Sequence, residues 1–218
     1  MIDGSFNNQD IKGTEQAQQV ACLIKPENLS LADQARFQYY QANAWSNLRH
    51  FRRYQNQTAW DYDQEELTHE IYFLRSALNL DGFKELSDDL KCQIYTNLGN
   101  LFSHIGRFIE AQQTWRNALN INPQFAMALG NIGQGCFFYG RAVYDATHQN
   151  IFIYHAYQYL SRALLLKQYW KPGPITIGSQ SRKPSLRTGL RNIYKLHMIE
   201  IMLILVKTNP CLIIASGA

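Results

Sequence analysis

The chain predicts an all-α fold, a solenoid of about three helical hairpins. Three observations point there. Apolar residues recur at three- and four-residue intervals over most of the first 170 positions. Leu98-Gly99-Asn100 returns as Ile132-Gly133-Gln134 after 34 residues, and Gly106 returns as Gly140 at the same interval. The triplet of Trp115, Ala118 and Leu119 has counterparts in Leu74, Ala77 and Leu78 and in Leu160, Ala163 and Leu164.

Residues 1–29 read as a polar N-terminal extension and residues 30–170 as the repeat domain. Ser30 followed by Asp33 resembles a capping box, and Phe37, Tyr40, Ala44, Trp45, Leu48 and Phe51 keep helical spacing to about Arg53. The partner helix spans about Gln64 to Leu80, with Asp81-Gly82 as its stop. Ser87 opens the next helix, which runs to about Ile105. Gly106-Arg107 is a turn, and Phe108 to Ile121 is the return helix before Pro123. A third pair covers about Gln124 to Tyr144 and Phe152 to Lys167.

The spacing of small residues explains the stretch from Leu98 to Pro123. Antiparallel helices approach closely only where side chains leave room. Gly99, Ala111 and Ala118 supply room, while Leu98, Phe102, Phe108, Trp115 and Leu119 fill the gaps. A glycine inside a helix costs about 1 kcal/mol relative to alanine. Gly99 and Gly133 therefore need a packing reason, and close helix contact is one.

Tyr95 to Pro123 resembles the tetratricopeptide repeat (TPR). An aromatic, Leu-Gly, an aromatic, Gly, Ala, an aromatic, Ala and Pro stand at that family's spacing. The resemblance covers about Leu31 to Leu166. The third repeat carries about eleven additional residues within Arg141 to Tyr157, and the first about sixteen around Arg53 to Gln64. More narrowly, the chain looks like the N-terminal half of a bacterial family with TPR-like repeats before a HEPN-type helical domain, whose C-terminal half is absent here. That resemblance implies a regulatory fragment of an RNA-cleaving protein, or a truncated remnant, as alternative readings.

The TPR resemblance implies a groove lined by the first helix of each pair. By register Tyr39, Asn43, Ser46, Asn47, Gln93, Asn97, Asn100, His104, Asn131, Gln134 and Phe138 should face it. Asn43 and Asn97 match the two asparagines of the carboxylate-clamp subclass. An amide there can both donate to and accept from a peptide main chain. The cations that hold a terminal carboxylate are missing, because Tyr39, Met127 and Asn131 stand in their places. The expectation is a non-catalytic module that binds a protein or an internal peptide segment, with no cofactor and no metal.

Composition agrees with this reading. Charged residues make up 17% and hydrophobic ones 46%, so a packed core is expected. Residues 1–170 hold 14 Lys and Arg against 16 Asp and Glu, net −2, although the whole chain is +4. No basic stripe exists there to track phosphates, so nucleic acid is not the expected partner. The N-terminus lacks a basic segment followed by an apolar run, so the expected location is the cytoplasm. Cys22, Cys92, Cys136 and Cys211 are far apart and form no CxxC, which predicts four free thiols.

Candidate chemistry is sparse. Arg191 with His197, and Arg141 with His148, fit the spacing of a HEPN-type Arg–His pair on one helix. Twelve arginines and six histidines would supply about one such match by chance. Asp61, Asp63, Glu65 and Glu66 lack the glycine and terminal Glu of a calcium loop, and they suit the start of a helix. No phosphate loop, GxSxG or dinucleotide fingerprint occurs. Residues 171–218 change character, with a Pro-, Gly- and Ser-rich linker and then a basic, apolar tail. Its apolar core, Met198 to Val206, is well short of the roughly 20 residues that span a bilayer.

Overall fold

A computed structural model of the chain describes residues 11–56 and 65–169. These are helical almost throughout, with no strand among the described residues. The α-helices are α1 (Ile11–Cys22), α2 (Leu31–Asn56), α3 (Glu65–Asn79), α4 (Asp88–His104), α5 (Phe108–Ile121), α6 (Ala126–Ala142) and α7 (Ala146–Tyr169). Short 3-10 turns at Pro26–Asn28 and Asp81–Glu85 lead into α2 and α4. The chain forms two compact units, Met1–Arg107 and Phe108–Ala218. The expected linker and apolar tail, Arg191, His197, Asp61 and Asp63 lie outside the described residues.

In the first unit α2 packs against α1 and α3, and α3 against α4. Ala35, Ala42, Ala44, Leu48, Leu74, Ala77, Cys92, Ile94 and Leu101 are its most deeply buried apolar side chains. Gly82 is an obligatory glycine, because a Cβ there would sit 1.8 Å from the Leu31 carbonyl oxygen. Ser30 caps α2 by accepting from the Asp33 backbone N–H at 3.2 Å, and its hydroxyl donates to the Asp33 carboxylate at 2.7 Å. The reciprocal bond of a full capping box, from the Ser30 backbone N–H to the side chain at Asp33, is replaced by this side-chain pair. Ser87 caps α4 by accepting from the Leu90 N–H.

The end of α4 is a Schellman motif. The Arg107 N–H donates to Phe102 O at 2.8 Å and the Gly106 N–H to Ser103 O at 3.2 Å. Gly106 takes φ +80°, which only glycine adopts without a Cβ penalty. No other atom crowds the site, so the requirement there is conformational. The Arg107 guanidinium lies 5.1 Å from the Phe102 ring centroid and closes the motif.

In the second unit α6 packs against both α5 and α7. Its glycines make this possible. A Cβ on Gly133 would meet Leu160 Cγ at 2.7 Å, and one on Gly140 would meet Phe152 Cβ at 3.0 Å, both on α7. A Cβ on Gly135 would meet Gln112, Trp115 and Phe108 of α5 at 3.0–3.3 Å. Phe108 stacks on Tyr139 with centroids 4.5 Å apart, and Phe152 meets Tyr139 edge-on at 4.7 Å, so one aromatic cluster joins all three helices.

Within the N-terminal extension residues 11–22 form α1, and Thr14 and Ala21 are buried. One expectation needs correction. The helix expected from Phe152 starts at Ala146, so the extra residues after α6 are absorbed as additional helical turns. Asp145 makes this possible as the N-cap, accepting from the His148 N–H at 2.8 Å through its side chain.

Candidate functional site

The candidate groove residues of the first unit lie on α2 and α4. At 3.6 residues per turn, Tyr39 and Asn43 share one face of α2, and Gln93, Asn97, Asn100 and His104 share one face of α4. Four of these meet. The Asn97 side-chain N–H₂ donates to Asn43 Oδ1 at 3.3 Å and to the Tyr39 hydroxyl at 3.2 Å. The Tyr39 hydroxyl in turn donates to Gln93 Oε1 at 3.4 Å. These bonds bridge α2 and α4 with neutral groups alone.

The Tyr39 ring is buried, so its hydroxyl is the hub of the cluster and its ring belongs to the core. Asn43, Gln93 and Asn97 are half-buried, His104 likewise, and Asn100 is exposed. The paired amides still have capacity. Asn43 Nδ2 and Asn97 Oδ1 make no hydrogen bond among the described residues. Together they offer one donor and one acceptor, the complement of a peptide unit. The basic residues nearest in sequence to Tyr39 and Gln93 are engaged: Arg36 pairs with Asp33, and Lys91 with Asp88 at 3.5 Å. Tyr40 is exposed beside Tyr39, with ring centroids 5.8 Å apart.

The remaining candidates lie on α6 in the second unit. Asn131 and Gln134 are half-buried and Phe138 is exposed. Arg141 and His148 stand on different helices, α6 and α7, so they cannot form a same-helix Arg–His pair. His148 is engaged locally, its ring Nδ1 2.8 Å from Asp145 Oδ1. The His148 backbone N–H holds the Asp145 carboxyl below its usual range. Among the described residues no cluster of three His, Cys, Asp or Glu could hold a metal ion. No helix among them is long and apolar enough to cross a membrane.

Sequence reasoning missed an ionic site behind the cluster. Arg49 Nε donates to Glu70 Oε2 at 2.9 Å with both side chains buried. Burial pushes the Glu70 carboxyl up, and Arg49 and Ser46 pull it back. Trp45 stacks on His69 with centroids 4.2 Å apart, tying the same two helices. Arg49 and Glu70 are 21 positions apart on different helices, so no local pattern pairs them. Glu65 is exposed at the start of α3, whereas Glu66 is buried.

Compared with known protein families and with curated proteins, the chain matches no family model and no curated sequence.

Proposed function

We propose that the chain is a non-catalytic, TPR-like helical module, acting in the cytoplasm, that holds an internal segment of a peptide or protein. The observation that carries this reading is the Asn43–Asn97 pair. Its hydrogen bonds to Tyr39 and to one another fix two amides side by side and leave, among the described residues, the Asn43 NH₂ group and the Asn97 carbonyl oxygen without a partner. An extended peptide presents the matching acceptor and donor from its main chain. Side chains fixed before binding lose less rotamer freedom when the ligand arrives.

The surrounding chemistry supports an internal segment over a free C-terminus. The four bonded side chains are neutral, and the basic residues nearest in sequence, Arg36 and Lys91, are paired with aspartates. Among the described residues the cluster itself holds no cation for a terminal carboxylate. Each new neutral hydrogen bond contributes on the order of 0.5–1.5 kcal/mol, so affinity from this pair alone is modest.

The test is capture of a neutral, end-blocked peptide by the wild type and by a paired Asn43→Ala and Asn97→Ala variant. The reading expects binding that survives end-blocking and is lost in the variant. Incubation with labelled RNA is the control for the nuclease alternative, and intact RNA is expected.

A further inference from the structure

Two arginines converge on one buried ring in the first unit. The guanidinium carbon of Arg75, on α3, lies 5.7 Å from the Phe102 ring centroid, and that of Arg107, in the turn after α4, lies 5.1 Å from it. The two charges are therefore no more than about 11 Å apart. Phe102 is buried, while both arginines are exposed. The ring face attracts a cation, but two like charges gathered on one ring repel each other, and salt screens that repulsion only in part.

No acid answers Arg75. It makes no ion pair among the described residues. On α3, Glu70 is taken by Arg49. Glu66 stands nine positions before Arg75 and so on the opposite side of the helix, and Glu65 is about 15 Å away along the axis. On α4, Asp88 and Asp89 open the first turn, about 20 Å along the axis from Phe102. Arg107 makes other contacts as well, so Arg75 is the cation with capacity to spare and Arg107 supplies a second positive charge. Tyr72 lies one turn before Arg75 on the same face of α3 and is 62% exposed.

We propose that Arg75 and Arg107 clasp a phosphate monoester dianion beside Phe102. Two guanidiniums carry two positive charges, which match the charge of about −1.5 to −2 on a monoester at neutral pH. Each presents a planar fork of N–H donors that fits phosphate oxygens two at a time. A carboxylate brings only one charge. A nucleic-acid backbone spreads its charge over many phosphates, and the rest of this unit opposes it: residues 1–107 hold 10 Lys and Arg against 14 Asp and Glu, net −4. A single dianion is met locally by the two arginines. Tyr72 is placed to contact the group that carries the phosphate. The site uses none of the Asn43–Asn97 cluster and does not depend on it.

The test uses the full chain and three fluorescent, end-blocked peptides: Gly-Leu-Ser-Leu-Gly, the same peptide with phosphoserine at its centre, and the same with Asp there. Anisotropy titration at low salt should show the phosphoserine peptide binding at least about tenfold tighter than the Ser peptide, and tighter than the Asp peptide. The preference should shrink at about 0.5 M salt. Arg75→Gln should erase most of it and Arg107→Gln part of it. Arg75→Lys, which keeps the charge but loses the fork, should fall between wild type and Arg75→Gln. Circular dichroism of these variants should match the wild type, since both side chains are exposed. Glycerol 3-phosphate is the competitor: if it displaces the peptide, a small phosphate ester suffices as ligand, and if it does not, the ligand is a phosphorylated protein segment; both support the site. Equal binding of the Asp and phosphoserine peptides would overturn the monoester assignment. A preference unchanged in Arg75→Gln, or no binding of the phosphoserine peptide, would overturn the site. A single-stranded oligonucleotide that binds more tightly than the phosphoserine peptide, and is lost in Arg75→Gln, would overturn it in favour of a nucleic acid. The paired Asn43→Ala and Asn97→Ala variant should keep the phosphoserine preference, so the two readings fail separately.

Discussion

Arg49 and Glu70 form a buried ion pair, Nε to Oε2 at 2.9 Å, that ties α2 to α3 behind the amide cluster. Removing the cation leaves a buried carboxylate without its countercharge. Arg49→Met should cost about 3–5 kcal/mol, and Arg49→Met with Glu70→Leu should recover most of it. Urea denaturation of the two variants measures this.

The same pair sets a pH dependence. Burial raises the Glu70 carboxyl above its usual 4.5, and Arg49 opposes the rise. A carboxyl whose folded value is raised contributes stability below its unfolded value and loses it as pH rises through the folded one. In Arg49→Met the opposing charge is gone and the rise is larger. The stability deficit of that variant should therefore be smallest near pH 4 and grow towards neutrality. A deficit independent of pH would show that Arg49 acts through packing alone.

Gly133 and Gly106 separate two reasons for glycine. Gly133→Ala places a Cβ 2.7 Å from Leu160 Cγ and should cost about 1–3 kcal/mol by overpacking, with Leu160→Val added to it recovering part of the loss. Gly106→Ala meets no neighbour but must hold φ +80°. It should cost about 1 kcal/mol, and no repacking mutation should rescue it. Thermal melts of the three variants distinguish the two cases.

Cys136 gives a third handle. Burial pushes its thiol up to about 11, against the lowering effects of Arg116 and Gln112. The thiolate is the reactive form, so modification of Cys136 in the native state at pH 8 should be slow and should follow unfolding. Its raised value means that its contribution to stability holds below about pH 9 and falls as pH rises towards 11. The stability difference between wild type and Cys136→Ala should shrink over that window.

Much of this fold was legible because its signals are local. Ser87, Gly106 and the apolar spacing around Leu98 placed α4 and its end within a residue or so. Gly133 was readable as a close-contact position because a glycine in a helix otherwise only costs stability, whereas Gly140 read only as the counterpart of the turn glycine Gly106 and its contact with Phe152 was not legible. Helix α1 was not legible, since Gly13, Thr14 and three glutamines give its face little apolar periodicity. The start of α7 was misplaced because Thr147, His148, Gln149 and Asn150 carry no apolar pattern, and the cap at Asp145 decides it. Asn43 and Asn97 were picked out by register and by their match to the carboxylate-clamp asparagines. Their hydrogen bond, the burial of Tyr39 and the Arg49–Glu70 pair depend on residues 21 to 58 positions apart, and no local pattern encodes them.

In the proposed function Asn43 and Asn97 together hold the main chain of an internal peptide segment. The most direct measurement is titration of one neutral, end-blocked peptide against the wild type, each single alanine variant and the Asn43→Ala, Asn97→Ala pair. The pair should lose about tenfold or more in affinity, the single variants should be non-additive because the two amides bond to one another, and the same peptide with a free C-terminus should bind the wild type equally well. Unchanged binding in the paired variant, or binding that requires a free C-terminal carboxylate, would contradict it.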